Sequence, residues 1–83
     1  PNPFNPSTQI GYRIADDQRV RVAIYDVSGA LVRMLVDASQ PAGAYTVTWS
    51  GANDEGLPVS SGVYFYRLEA GKLTQTRRMV LLK

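Results

Sequence analysis

The chain contains neither cysteine nor histidine. Without cysteine, no disulfide can hold the fold, and thiol usage carries no signal of redox compartment. Without histidine, the commonest general base, the middle member of a Ser-His-Asp triad and the usual zinc ligand are all missing. No apolar run approaches the roughly 20 residues that a membrane-spanning helix requires. No stretch has the succession of a signal peptide. No glycine-rich phosphate loop stands between a strand and a helix. Charge is also missing locally: residues 1–12 carry none.

What is present suits one small domain. A chain of 83 residues buries only about 60% of the surface its unfolded form exposes, so its core must be used efficiently. A hydrophobic fraction of 45% is ordinary for a globular domain and argues against disorder. The net charge of +2 is modest, and no basic and aromatic patch spans several strands, so nucleic acid is not an expected partner. The distribution of charge says more. The last acid is Glu69, after which come Lys72, Arg77, Arg78 and Lys83. The C-terminal stretch is therefore purely basic. It reads either as a strand with a solvated basic face or as a recognition surface for an acidic partner.

Alternation, not helical periodicity, runs through the chain. TQIGYRI sets Ile10, Tyr12 and Ile14 on one face. RVRVAIYD sets Val20, Val22 and Ile24 opposite Arg19, Arg21 and Ala23. AYTVTWS points Tyr45, Val47 and Trp49 inward. GVYFYRLEA is rich in the aromatic and β-branched residues that strands favour. LVRMLVD is apolar on both faces apart from Arg33, which suggests a central strand or a bulge. LTQTRRMVLLK closes the chain.

Turn chemistry separates these runs, at Gly29, at Pro41 with Gly43, and across NDEG. AGKL reads as a two-residue hairpin loop with Gly71 at the first central position of a type II′ turn. That register opposes Ala70 to Leu73, Tyr66 to Arg77 and Tyr64 to Met79, and it suggests a cation–π contact between Tyr66 and Arg77. About seven short strands at this spacing predict an all-β, antiparallel sandwich, immunoglobulin-like or fibronectin III-like. PNPFNPST would be its first, edge strand, with Phe4 as an inward anchor and prolines that discourage further pairing.

Candidate chemistry is thin. Asp16 and Asp17 are adjacent in a loop, and Asn53, Asp54 and Glu55 resemble part of a calcium loop, but neither group supplies six to eight oxygens at suitable spacing. Both read as polar turns, so no metal, cofactor or catalytic residue is expected. Among the aromatics, only Tyr25 and Phe65 fall out of phase with the buried faces. Two rings make a weak platform for stacking on sugar, which keeps a carbohydrate-binding module as an alternative.

Taken together, PNPFNPST, IGYRI, VAIYDVSGALVRML, AGAYTVTWSG, PVSSGVYFYRL and RRMVLLK resemble, in order and over essentially the whole chain, the C-terminal sorting domain of the type IX secretion system (type A) and the related FlgD-like immunoglobulin fold. Pro1, Asn2 and Pro3 match the opening motif. Gly62, Tyr64 and Leu68 match the aromatic strand, Gly71 the hairpin glycine, and Lys83 the basic terminal residue. Ser50 departs from a common aspartate, and Arg78 from a common lysine. The resemblance implies a non-catalytic module over residues 1–83, joined to a catalytic or adhesin domain N-terminal to Pro1. It implies export through the periplasm, recognition by outer-membrane secretion machinery, and a cell-surface or extracellular destination. Lys72, Arg77, Arg78 and Lys83 would then be the recognised residues. A structural immunoglobulin-like spacer or assembly domain is the other alternative.

Overall fold

The computed structural model describes residues 7–83. Residues 1–6 of the expected first edge strand PNPFNPST, with Pro1, Asn2, Pro3 and Phe4, lie outside these residues, and its Thr8 begins β1. Among the described residues there are six strands, in the order β1 (Thr8–Ile14), β2 (Gln18–Asp26), β3 (Leu31–Gln40), β4 (Gly43–Trp49), β5 (Gly62–Ala70) and β6 (Leu73–Leu81). They form an antiparallel sandwich: β1 pairs with β4, and the second sheet runs β3-β2-β5-β6. The chain is all-β, as the alternation requires.

The two inner faces carry the alternating residues and meet in one core. Ile10 and Ile14 come from β1, Trp49 from β4, Val20, Val22 and Ile24 from β2, and Tyr64 and Leu68 from β5. Trp49 is 1% exposed and meets Tyr64 edge-on, ring centroids 5.1 Å apart. Burying a ring of that size contributes about 4–6 kcal/mol at roughly 25 cal/mol per Å². Its indole N–H donates to the Ala52 carbonyl at 2.9 Å, so no polar atom is stranded. Tyr12 and Tyr45 stack across the smaller sheet at 5.4 Å.

Strand β3 departs from its expected central place. It is an edge of the larger sheet, and the bulge alternative is the one realised, twice. Its register against β2 jumps between Val22 and Ala23 and again between Ile24 and Tyr25, leaving Leu35 and Val32 unopposed. Each extra residue resets the alternation, which is why LVRMLVD looks apolar on both faces. Val32, Leu35 and Val36 all pack against the core.

Tyrosines fix the corners. The Tyr64 hydroxyl donates to the Ser60 carbonyl at 2.7 Å, four residues upstream, and the Tyr45 hydroxyl donates to the Pro41 carbonyl in the same spacing. This is the tyrosine corner of immunoglobulin-like sandwiches, and it ties each incoming loop to the start of its strand.

Candidate protein-recognition surface

The β5–β6 hairpin is the element that carries most of the expected recognition residues. Gly71 has φ of +60°, and no non-glycine residue among those described has a positive φ, so Lys72 does not. That combination is the type II′ turn expected from AGKL. The register follows: Ala70 opposes Leu73, Tyr66 opposes Arg77, Tyr64 opposes Met79 and Phe65 opposes Arg78. A side chain on Gly71 would run into the Gln18 amide oxygen, so the turn also packs closely on β2.

The basic residues do not converge. Successive strand residues point to opposite faces, so Arg77 and Arg78 project on opposite sides of β6. Arg78 joins Phe65 on the outer face, and Arg77 joins Tyr66 on the inner one. The nine residues of β6 span about 30 Å, which sets Lys72 and Lys83 at opposite ends of the strand. Every β6 residue from Leu73 to Arg78 is exposed, and only Leu81 is buried. The basic stretch is therefore a rim along a sheet edge, with cations on both sides of it.

The outer face of the larger sheet holds a second feature. Tyr25 opposes Phe65 directly, so the two out-of-phase aromatics are neighbours. The cation–π contact formed is not between Tyr66 and Arg77. Tyr66 is packed against the core, and instead the Arg67 guanidinium lies 4.8 Å from the Tyr25 ring centroid. Arg67 opposes Ala23, two residues from Tyr25, so this is a diagonal pair on one face. A cleft of about 210 Å³ opens there, lined by Tyr25, Asp26, Val27, Gly29, Phe65, Arg67 and Thr76. Sequence reasoning missed this contact because it needs the β2–β5 register, which no local turn specifies.

Three of the acids are occupied with the backbone, and Asp37 pairs with the Arg19 guanidinium at 2.8 Å. Asp17 accepts the Ala42 N–H at 2.8 Å, where the chain crosses between sheets. Asp26 accepts Ser28 N–H, Ser28 hydroxyl and Ala30 N–H in the turn that Gly29 permits. The Ser28 hydroxyl, followed by the Ala30 amide, holds its carboxyl below the usual carboxylate range. Asn53 accepts Glu55 and Leu57 N–H and organises the NDEG turn. Asp54 accepts the Met34 N–H at 3.0 Å, while its own N–H donates to the Val32 carbonyl. These two bonds cover the bulged edge of β3. Among the described residues no cluster of three acids stands at metal-binding distance.

The residues of the family resemblance have structural places. Tyr64 makes the corner, Leu68 is 2% exposed in the core, Gly62 begins β5 and Gly71 makes the turn. The Lys83 backbone N–H donates to the Ser61 hydroxyl, and so ties the chain end to the start of β5.

Comparison with known proteins agrees with this architecture. The family model of the FlgD Ig-like domain matches residues 7–73. FlgD from P. aeruginosa superposes with a TM-score of 0.69 at 19% identity, over 92% of this chain and 60% of that one. Dimeric latent PorU from Porphyromonas gingivalis superposes with a TM-score of 0.71 at 22% identity, over 100% of this chain and 9% of that one. Truncated FlgD from Helicobacter pylori gives 0.66 at 16% identity, over 99% of this chain and 64% of that one. The chain thus spans less than two thirds of each of these structures. No curated protein sequence matches it.

Proposed function

We propose that this chain, which belongs to the FlgD Ig-like domain family, is a non-catalytic docking module that directs a larger protein through type IX secretion to the cell surface. The observation that carries the reading is β6. It is an exposed edge strand, and all charged side chains after Glu69 are cationic. A strand in that position can be gripped by another macromolecule without disturbing the core. The resemblance of the chain's motifs to the type A sorting domain supplies the export role, with outer-membrane secretion machinery as the partner. The non-catalytic reading is supported by the acids. Asp17, Asp26 and Asp54 are spent on backbone N–H groups and do not converge on a cleft. The carbohydrate reading is weaker, because a sugar stacking on Tyr25 would compete with Arg67 for the ring.

The test is to fuse the chain to the C-terminus of a secreted reporter in a type IX host. The intact chain should deliver the reporter to the cell surface. Removing Leu82 and Lys83, or making R77E/R78E, should leave it in the periplasm. All of these side chains are exposed, so the fold should survive. Failure of the intact chain to deliver would favour the spacer reading. Equal delivery by all three chains would remove the basic hairpin from recognition.

A further inference from the structure

The edges of the larger sheet differ. On β3 the edge is broken by two bulges, and Asp54 occupies the backbone at Met34 and Val32. On β6 the register is continuous from Leu73 to Leu81. The strand contains neither proline nor glycine, and among the described residues no strand pairs with its other side. In a two-residue hairpin the residues flanking the loop exchange both hydrogen bonds, so bonding alternates from there. Leu73, Gln75, Arg77 and Met79 therefore bond to β5. The N–H and C=O groups of Thr74, Thr76, Arg78 and Val80 point toward the open edge. These groups are a template for an added strand.

The side chains say what kind of strand. Antiparallel pairing of two copies about the middle of β6 would bring Arg77 against Arg77, and like charges directly opposite are unfavourable. Self-association through this edge is thus opposed, while an acidic strand is favoured. Arg77 and Arg78 are consecutive and face opposite sides. Their direct cross-strand neighbours on an added strand are also consecutive and face the same two sides. The outer row would run Tyr25, Phe65, Arg78 and then an acid; the inner row would run Tyr66, Arg77 and then an acid.

We infer that β6 is a strand-addition edge that takes an extended segment of a partner protein carrying two consecutive acidic residues, paired against Arg77 and Arg78. The inference rests on the docking role proposed above and names how the partner is held.

The test uses synthetic strand peptides of alternating Thr and Val, with Glu-Glu, Lys-Lys or Pro at the centre. Binding is read by titration and by amide exchange of the isotope-labelled chain. The Glu-Glu peptide should bind and protect the amides of Thr74, Thr76, Arg78 and Val80. The Lys-Lys peptide should bind at least about tenfold more weakly, since two attractive pairs become repulsive, and the Pro peptide should not protect the edge. R77E/R78E should reverse the preference between the charged peptides. Thr76→Pro removes an edge N–H without removing a β5 bond, and should abolish binding while Trp49 fluorescence reports an intact core. No binding of the Glu-Glu peptide at about 1 mM would overturn the inference, as would protection of the four amides in the free chain. Export by the intact chain without peptide binding would refute this mode alone. Peptide binding without export would refute the export role alone.

Discussion

Changing Tyr64 to Phe removes one hydroxyl and nothing else from the fold. The ring is 7% exposed and stays packed edge-on against Trp49. The loss is the 2.7 Å bond to the Ser60 carbonyl. A net hydrogen bond contributes about 0.5–1.5 kcal/mol, and a buried acceptor left unpaired would cost about 1–3 kcal/mol. Ser60 is exposed, so water can take over its carbonyl. The expected cost is therefore about 1 kcal/mol, which lowers Tm by about 4–8 °C in a domain of this size. Tyr64→Ala also removes the ring and leaves a cavity beside Trp49, for about 3–5 kcal/mol. That is a large share of the roughly 4–12 kcal/mol total stability available at this length.

Urea unfolding monitored by Trp49 fluorescence measures both variants. The control is Tyr45→Phe, which removes the same kind of corner bond from a less buried ring, and should cost less than Tyr64→Phe. If Tyr64→Phe were neutral, or Tyr45→Phe cost more, the corner would not be holding β5. Tyr64 would then need another explanation for its place in the aromatic strand. If the corner account is right, Tyr64→Phe that is still folded should deliver a reporter and bind a strand peptide as well as the parent chain.

Gly71→Ala places a side chain at φ +60° against the Gln18 amide oxygen, and should cost roughly 1–3 kcal/mol from backbone strain, measured by the same unfolding titration. The Gln18 side-chain end can swing aside, so Gln18→Ala in the same background should recover little if strain dominates and most of the loss if the clash does. Asp26→Asn should destabilise the chain at neutral pH, because the folded carboxylate is favoured by Ser28 and Ala30. The sign follows from its lowered pKa: the contribution is full above the usual carboxylate value near 3.8 and is lost as pH falls through the lower folded value. The gap between parent and variant should therefore close in acid, as thermal melts across that range would reveal. Asp54→Ala should loosen the bulged β3 edge, seen as faster amide exchange at Met34, with little change in Trp49 fluorescence.

Several elements were legible because their physics is local. AGKL specified its turn and, through it, the whole β5–β6 register, since a two-residue loop leaves no freedom in pairing. The inward rows of β1, β2 and β4 followed from simple alternation. β3 was harder, because the two-sided apolar pattern that its bulges leave in LVRMLVD fits a central strand equally well. Its place at an edge depended on long-range pairing. The candidate surface divided in the same way. Tyr25 and Phe65 were visible as out of phase, but their adjacency and the Arg67 contact required β2 to lie beside β5. The basic ending was visible as composition. Its separation into two faces followed from the strand period, once Leu73–Leu81 was a strand from end to end.

That separation bears on where specificity can reside. Gly62, Tyr64, Leu68 and Gly71 are occupied in starting a strand, tying a corner, filling the core and closing a turn. Residues so engaged define a fold, and the same fold persists in FlgD and PorU structures at 16–22% identity. A partner that read only these residues could not tell one such domain from another. On the docking role proposed above, discrimination would come from groups the fold does not need, the side chains such as Arg77 and Arg78 that stand exposed on β6, while main-chain pairing would add affinity without telling one domain from another. Substitutions should accordingly fall into two classes. Those at Tyr64, Leu68 or Gly71 should lower stability and leave binding by the folded fraction unchanged. Those at Arg77 or Arg78 should leave stability within about 0.5 kcal/mol and alter partner choice. A charge reversal on β6 that unfolded the domain, or a core truncation that redirected binding without loss of stability, would contradict this division.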